Sequence, residues 1–430
     1  MTYRGRHRRR KRGRALRAFL AGTALALTGA ATIISVSQAT VDGSPGALKP
    51  LSAASDTAPL RFQENRVPQR SLDRLASEMG TPVGVDAVLD GADRTLRTAE
   101  SCAADERKAL PVEPAATRAY CWNAADAGSW RPGAVTTSGD ADDDGVWGSN
   151  RVILSGWSEE SSTPGHSLAR VAFVDADDLG RLRYTWVLLV VPVEGGRDYR
   201  ALASRLSGMV WYEDKLLVTA DDNGRDALYV YDMNRVQRTS VASSTIGRGG
   251  GGWSARGYRY VLPAVGSYRL TGADGTAPTS ISLDRTTSPD SLVASARPAT
   301  GSHRPALLWR YSFATAPTPS PRSGLLATDT AGYADPTEAY ETEGADIGGV
   351  LSYRSDWYVA RVGTGDGHGT LWRQTADDAR ATRCGSEERR NCWSPDTSSL
   401  SYWAESGEVW TQSQRMLFAL PLASVARSLG

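Results

Sequence analysis

Residues 208–233 read Gly-Met-Val-Trp-Tyr-Glu-Asp-Lys-Leu-Leu-Val-Thr-Ala-Asp-Asp-Asn-Gly-Arg-Asp-Ala-Leu-Tyr-Val-Tyr-Asp-Met, and this stretch decides the fold that we predict. Two short apolar runs flank the polar pair Glu213-Asp214, and a third run follows the turn sequence at 221–224. Apolar runs that are rich in aromatic residues and are separated by such turns predict a meander of three antiparallel strands.

Weaker copies of this order recur along the chain. They occupy 281–312, 349–374 and 399–422, and three more strands are predicted upstream within 151–193. Repeated meanders at intervals of roughly 45–70 residues are typical of β-propeller blades, because one blade cannot cover its own apolar faces while neighbours in a ring can. The region 119–430 holds 312 residues. At roughly 50 residues per blade it predicts an all-β fold with about five or six blades, and a β-sandwich is the alternative.

Three segments of these strands carry a resemblance to a known family. They are Tyr120-Cys121-Trp122-Asn123, the strand that contains Val210-Trp211-Tyr212, and the strand Leu228-Tyr-Val-Tyr-Asp-Met233. In them the chain resembles an uncharacterised family of secreted actinobacterial proteins with propeller-like repeats. The resemblance covers most of the chain after about residue 60. It implies secretion and the fold, and it supplies no activity and no site residue.

The N-terminal residues predict export. Residues 1–39 carry nine basic and no acidic residues, followed by an apolar run from about Ala18 to Val36 and the small-residue sequence Ser37-Gln38-Ala39. This order is typical of a secretory signal peptide cleaved before Thr40. An uncleaved signal anchor that tethers the protein to the membrane is the alternative, because the run approaches the length of a membrane span. No later segment is long and apolar enough to span a membrane, so we expect a secreted mature chain without one.

Two further regions precede the strands. Residues 40–60 are small, polar and Pro-bearing, which predicts a flexible spacer. Residues 61–118 predict a short helical N-terminal element with two amphipathic helices. The first has an apolar stripe from Leu72 to Met79 between Ser71 and Gly80, and the second has a stripe from Val85 to Ala99.

The charge balance of the mature chain excludes one class of partner. Over the whole chain 49 basic residues face 48 acidic ones, but without residues 1–39 the numbers are 40 and 48, a net charge of −8. A nucleic-acid-binding surface needs concentrated Lys and Arg, so we expect no nucleic-acid partner. We expect a monomer that binds an extracellular or cell-envelope ligand.

The four cysteines fit an oxidising compartment. Cys102 and Cys121 are close in sequence, as are Cys384 and Cys392, so the expected disulfides are 102–121 and 384–392. Four cysteines allow three pairings, and spacing alone does not choose between them. A zinc site would need paired C-x-x-C motifs or neighbouring histidines, which the sequence lacks.

One acidic motif predicts a metal site. Asp140, Asp142 and Asp144 alternate before Gly145, a spacing that places three carboxylates around one turn and suits calcium. Position twelve of such a loop is Arg151 and not the usual bidentate Glu, so the site would be weak or would borrow a carboxylate from elsewhere. A solvated acidic turn is the competing interpretation.

Motifs for catalysis are incomplete. Gly165-His166-Ser167-Leu168-Ala169 resembles a nucleophile elbow but lacks the strand-then-helix context. The Gly-rich run at 247–252 lacks the Lys-Ser/Thr ending of a phosphate loop, so we interpret it as a mobile loop. His368, two residues after Asp366, could form an acid–base pair, although a solvated loop histidine is the simpler interpretation.

The functional hypothesis follows from the repeats and from the missing catalytic constellation. We expect a secreted propeller-type binding module for an envelope or extracellular ligand. The alternative is a calcium-assisted propeller hydrolase, lactonase or lyase, with acidic side chains converging at a channel mouth. A purely structural surface protein, without a concave binding patch, is a third class.

Overall fold

Strands dominate the structure, a computed structural model that describes residues 43–429 except 161–167, 221–225, 273–274, 299–303, 316–319, 345 and 366. The chain divides into two units, Met1–Gly46 and Ala47–Gly430, and every element given below belongs to the second unit. That unit has few helices and a nearly closed, barrel-like arrangement of sheets, which confirms the all-β class.

The strands, in chain order, are β1 (Lys49–Pro50), β2 (Phe62–Arg66), β3 (Arg94–Thr95), β4 (Arg97–Thr98), β5 (Arg118–Cys121), β6 (Trp130–Thr137), β7 (Val152–Glu159), β8 (Ala169–Asp175), β9 (Arg183–Val193), β10 (Asp198–Ala201), β11 (Met209–Tyr212), β12 (Lys215–Thr219), β13 (Asp226–Asp232), β14 (Gln237–Arg238), β15 (Ile246–Gly249), β16 (Gly252–Ala255), β17 (Tyr260–Leu270), β18 (Ser280–Asp284), β19 (Ser291–Ala296), β20 (Ala306–Ser312), β21 (Tyr333–Ala334), β22 (Glu338–Thr342), β23 (Ile347–Tyr353), β24 (Asp356–Arg361), β25 (Thr370–Gln374), β26 (Ala379–Ala381), β27 (Ser401–Trp403), β28 (Glu408–Ser413) and β29 (Met416–Pro421).

The helices are short. They are α1 (Ala54–Thr57), α2 (Gln69–Met79), α3 (Gly84–Asp90), α4 (Ala124–Ala127), α5 (Ser138–Ala141) and α6 (Leu422–Arg427), with 3₁₀ turns at Ala58–Leu60, Ala99–Ser101, Glu106–Ala109 and Met233–Arg235. Gly80 caps the end of helix α2, as the sequence predicts, but the prediction that Ser71 caps its start is wrong, because the helix begins at Gln69 after Pro68 and Ser71 is buried within it. Helix α3 is shorter than the helix that the apolar stripe predicts. The later part of that stripe contains β3 and β4, which pair with β9 and β5 and do not continue the helix. No helix of the described residues is long and apolar enough to cross a membrane.

Five groups of four antiparallel strands, called quartets, organise the described residues. Quartet 1 is β6-β7-β8-β9, quartet 2 is β11-β12-β13-β17, quartet 3 is β18-β19-β20-β22, quartet 4 is β23-β24-β25-β26 and quartet 5 is β27-β28-β29-β5. The 208–233 meander is the beginning of quartet 2, with a turn at Glu213, whose φ is 50°.

The quartets contact one another in a closed sequence, largely through small residues of their first strands or of the segments just before them. Quartet 2 contacts quartet 1 through Trp211 N and Thr136 Oγ1 at 2.9 Å, and it contacts quartet 3 where Gly208 packs against Ile281. Quartet 4 contacts quartet 3 through Ser352 Oγ and Asp284 Oδ2 at 2.7 Å, and it contacts the segment before quartet 5 through Gly349 N and Thr397 O at 2.7 Å. Quartets 5 and 1 meet at Ser401 Oγ and Thr137 Oγ1, which are 3.4 Å apart. A Cβ on Gly208 would lie 2.6 Å from Ile281 N, so this approach requires glycine.

Two pairings reach across the chain. Strand β5 forms the outer edge of quartet 5, with Cys121 opposite Met416. Strand β17 joins quartet 2 to quartet 1 by parallel pairing, with Tyr260 opposite Val187. Strands β2 and β10 add to the same region by pairing with β17 and β9.

Most large aromatic side chains of the strands pack in the interior. At most 3% of each of the following side chains is exposed: Trp186, Trp211, Trp309, Trp357, Trp372 and Trp410. This burial agrees with packing between strands and leaves these rings no surface on which to stack a sugar.

Two segments that we predict to be irregular contain strands. The Gly-rich run at 247–252 is part of a hairpin of β15 and β16, in which the register runs from Ile246 opposite Ala255 to Gly249 opposite Gly252. Within the predicted spacer, β1 pairs with β22 through Lys49–Glu341 and Pro50–Tyr340.

Candidate functional site

A cavity of about 600 Å³ lies where α2, the β9–β10 hairpin, the end of β2 and the middle of β17 meet. This volume is in the range of sites that bind small ligands, roughly 300–1,000 Å³. We call it the arginine cleft. Its charged lining residues are Arg66, Arg70, Arg74, Arg200, Arg269, Glu194 and Asp226.

Tight packing of the β9–β10 turn against α2 builds one wall of the arginine cleft. Gly195 and Gly196 have φ angles of 66° and 82°, which favour glycine. A Cβ on Gly196 would lie 1.9 Å from the carbonyl oxygen of Ser71, so only glycine allows this approach. Arg74 Nη1 donates to Gly195 O at 3.1 Å and ties the helix to the turn.

Asp226, on β13, holds a second arginine of the cleft in place. Its Oδ1 accepts hydrogen bonds from Ser267 Oγ at 2.7 Å and from Arg269 Nε at 2.8 Å, and its Oδ2 accepts one from Tyr229 at 3.4 Å. The side chain of Asp226 is 15% exposed. The guanidinium of Arg269 offsets the charge of this carboxylate, so Asp226 orients Arg269 and offers little repulsion to an entering anion.

The remaining arginines keep most of their charge available. Arg66 Nη2 donates to Pro321 O at 3.0 Å and Arg200 Nη1 to Ala201 O at 3.3 Å, and neutral carbonyls cancel no charge. The nearest carboxylate oxygen to Arg66 is 3.8 Å away, on Glu64. Arg70 is exposed and has neither a hydrogen-bond nor an ion-pair partner among the residues that the structure describes. The cleft is therefore locally cationic.

A second cavity, of about 270 Å³, adjoins the arginine cleft and shares Arg66, Val67, Gly266 and Ser267 with it. Its charged groups are mostly paired, with Lys215 Nζ 2.5 Å from Asp214 and 3.5 Å from Asp232. The excess of positive charge therefore ends near Arg66.

A third cavity, of about 630 Å³, lies between quartets 3 and 4 and has the opposite charge. Carboxylates of Glu338, Asp356 and Asp377 line it, together with Arg310. Arg310 Nε contacts Glu338 at 2.6 Å and its Nη1 contacts Asp284 at 3.1 Å, so the charge of this arginine is neutralised.

The structure separates the carboxylates of the predicted calcium motif. Asp140 is 2% exposed, and its Oδ2 accepts from Thr136 at 2.6 Å and from Ser401 at 2.7 Å. Burial raises the pKa of Asp140 to about 6, against the lowering effect of these hydroxyl donors. Asp142 and Asp144 lie at the surface and accept from backbone N–H groups of their own turn. The three side chains therefore serve different partners.

Potential metal ligands meet elsewhere. Among the described residues, the potential ligand atoms of Cys102, Glu106 and Cys121 lie within 4.8 Å of one another. The two cysteines form a disulfide, which removes their thiolates, and Glu106 is ion-paired with Arg97 at 2.9 Å and Arg415 at 3.0 Å. This group is therefore a structural cluster.

The disulfides are the two that the spacing favours, Cys102–Cys121 and Cys384–Cys392. His368 Nδ1 lies 3.0 Å from the carbonyl oxygen of Trp393. The other candidates for catalysis, His166, Ser167 and Asp366, lie outside the described residues.

Sequence reasoning missed the arginine cleft. Its five arginines come from β2, α2, β10 and β17, so no single motif contains them. One local signal exists: Arg70 and Arg74 are four residues apart and therefore lie on one side of helix α2, opposite its apolar stripe, although the helix predicted from the sequence begins only after Arg70.

Comparison with known proteins adds little. No family model and no curated protein matches the sequence. Among solved structures, the chain is similar to one described as Drosophila Plexin A in complex with Semaphorin 1b, with 10% sequence identity, a TM-score of 0.27 and coverage of 73% of this chain and 88% of that chain. A likeness at this level carries no argument about ligand or activity. The resemblance to secreted actinobacterial proteins stays a prediction.

Proposed function

We propose that the chain is a five-bladed β-propeller that serves as an exported binding module, and that its extracellular or envelope ligand binds in the arginine cleft through negatively charged groups. Two features support the fold. The five quartets contact one another in a closed sequence, and β5 from the N-terminal side completes the quartet of the last strands, as ring closure requires.

One observation carries the function. Five arginines line a preformed cavity of about 600 Å³, and one of its two carboxylates is already saturated by internal donors. Guanidinium groups bind oxyanions by paired, charge-assisted hydrogen bonds. The chain after residue 39 carries a net negative charge, so a generally basic surface does not explain this concentration of arginines. A specific site for an anion explains it better.

The alternative of a calcium-assisted hydrolase, lactonase or lyase receives no comparable support. Among the described residues, no cluster of three carboxylates comes within 4.8 Å, and Asp140 is buried under two hydroxyl donors. A calcium titration tests this alternative: an increase of Tm with millimolar calcium, lost in Asp144→Asn, would support it.

Thermal unfolding in sodium phosphate tests the binding proposal, with sodium chloride of equal ionic strength as the reference. Because a ligand that binds only the folded state stabilises it, we expect phosphate to raise Tm by at least about 2 °C. The double variant Arg70→Glu/Arg200→Glu should lose this increase. Arg427→Glu, an exposed arginine on α6 outside the cleft, is the matched control and should keep it. Equal effects of phosphate and chloride on the unaltered chain would contradict the proposal.

A further inference from the structure

The arrangement of the arginines indicates more about the ligand than that the ligand is negatively charged. Arg66 is at the end of β2, Arg70 and Arg74 are on α2, Arg200 is on β10 and Arg269 is on β17. These elements surround the cavity from different sides. A single tetrahedral oxyanion has too few oxygens to engage five guanidinium groups bidentately, so the full set requires more than one anionic group.

The arginine cleft is also built in advance. Gly196 packs against Ser71 O, Arg74 is fixed to Gly195 O, and Asp226 fixes Arg269. These contacts set the positions of two arginines that come from different elements, α2 and β17. Because side-chain ordering is part of the cost of binding, arginines held in this way favour a ligand with adjacent, closely spaced charges.

The extent of the positive charge limits the length of the ligand. Beyond Arg66, the adjoining cavity has paired charges, with Lys215 bonded to Asp214 and Asp232. A long polyanion would need a basic track that continues, and a nucleic acid would also need aromatic platforms for its bases. Tyr229 is the one aromatic residue among the described residues that line the cleft, and it is 4% exposed.

Resting on the binding function above, we propose that the ligand of the arginine cleft carries two or three adjacent phosphoryl groups. The group is either a free oligophosphate or the diphosphate end of an organic molecule, which share this chemistry. Arg70 and Arg74 bind it from the helix side, and Arg200 and Arg269 bind it from the sheet side.

Calorimetric titration of the whole protein at constant ionic strength tests this proposal, with orthophosphate, pyrophosphate and tripolyphosphate as probes. Pyrophosphate should bind at least tenfold more tightly than orthophosphate. Arg70→Ala and Arg200→Ala should each weaken pyrophosphate binding at least fivefold, whereas Arg427→Ala should not. Arg70 is exposed and has no described partner, so its replacement should leave Tm unchanged and report on binding alone.

The outcomes separate the two proposals. If none of the three probes binds, both the anion-binding function and the oligophosphate ligand are wrong. If orthophosphate binds as tightly as pyrophosphate, the oligophosphate ligand is wrong and the anion-binding function stands. Isopentenyl diphosphate distinguishes the two kinds of ligand. If it binds more tightly than pyrophosphate, the ligand is an organic diphosphate, and if it binds more weakly, the ligand is a free oligophosphate. Tighter binding of single-stranded oligothymidylate than of tripolyphosphate would overturn the proposal.

Discussion

Asp140 makes the stability of the molecule depend on pH. Its pKa is raised to about 6 by burial, above the ordinary value of 3.8, so between about pH 4 and 6 the folded state holds a proton that the unfolded state has lost. Stability should therefore fall as pH rises through this range and stay lower above it, by up to roughly 3 kcal/mol. Asp140→Asn keeps an acceptor for Thr136 and Ser401 but removes the charge.

Urea unfolding at pH 4.5 and 7.5 measures this effect. We expect Asp140→Asn to gain stability relative to the unaltered chain at pH 7.5 but not at pH 4.5. Asp144→Asn, on the exposed part of the same turn, is the control and should show no such difference between the two pH values. An equal effect of Asp140→Asn at both pH values would show that Asp140 titrates normally.

The same residue illustrates the limits of sequence reasoning about sites. The alternation of Asp140, Asp142 and Asp144 is visible in the sequence, but whether the three carboxylates face one point depends on the backbone. Helix α5 turns Asp140 toward Thr136 and Ser401, and Ser401 is far away in sequence. Spacing cannot reveal a partner that the fold brings from another sheet.

The β9–β10 turn links stability to binding. Gly196→Ala introduces a Cβ 1.9 Å from Ser71 O and should push the turn away from α2, together with the anchor of Arg74. Gly407→Ala is the matched control, because Gly407 has a similar positive φ of 69° but nothing within 4 Å of its Cβ position. Backbone strain alone should cost roughly 1 kcal/mol in both, and overpacking should add about 1–3 kcal/mol in Gly196→Ala.

Chemical denaturation and pyrophosphate titration together check this prediction. Gly196→Ala should lose both stability and anion affinity, whereas Gly407→Ala should lose only the smaller amount of stability. Equal stability of the two variants would mean that the turn and helix do not pack as described.

Individual strands and their turns were predictable, and pairing between distant elements was not. Apolar runs flanking Glu213-Asp214 predict β11 and β12 because the pattern is local. The apolar stripe after Val85 predicts a long helix, yet Arg94–Thr95 and Arg97–Thr98 become strands because β9 and β5 offer them edges. Tertiary pairing overrides local propensity at such places.

The Cys102–Cys121 disulfide holds the strand that completes quartet 5. Cys121 belongs to β5, the strand that completes quartet 5, whereas Cys384 and Cys392 close a short surface loop. Each bridge should contribute about 2–3 kcal/mol by restricting the unfolded chain. The double variant Cys102→Ser/Cys121→Ser should lose at least roughly 1 kcal/mol more than Cys384→Ser/Cys392→Ser, because it also loosens β5.

Guanidinium unfolding of the two double variants measures the difference. Peptide mapping without reduction verifies the bridges in the unaltered chain. Equal losses in the two variants would show that β5 keeps its place in quartet 5 without its disulfide.

Whole-chain charge concealed the candidate site. A net charge of −8 after residue 39 correctly describes the average surface, but an average says nothing about five arginines gathered from positions 66, 70, 74, 200 and 269. The expectation that the chain has no nucleic-acid partner rests on this average and stays a prediction, whereas only the fold could place the cationic surface.

The pairing of β5 with β29 has a consequence for how the chain reaches its native state. Residues 118–121 pair with residues 416–419, so this edge can form only after both distant segments have been synthesised. Pairing between segments that are so far apart in sequence raises the contact order, which slows folding. A nascent chain that has not yet reached residue 416 therefore holds β5 without its β29 partner, and quartet 5 stays incomplete until that point.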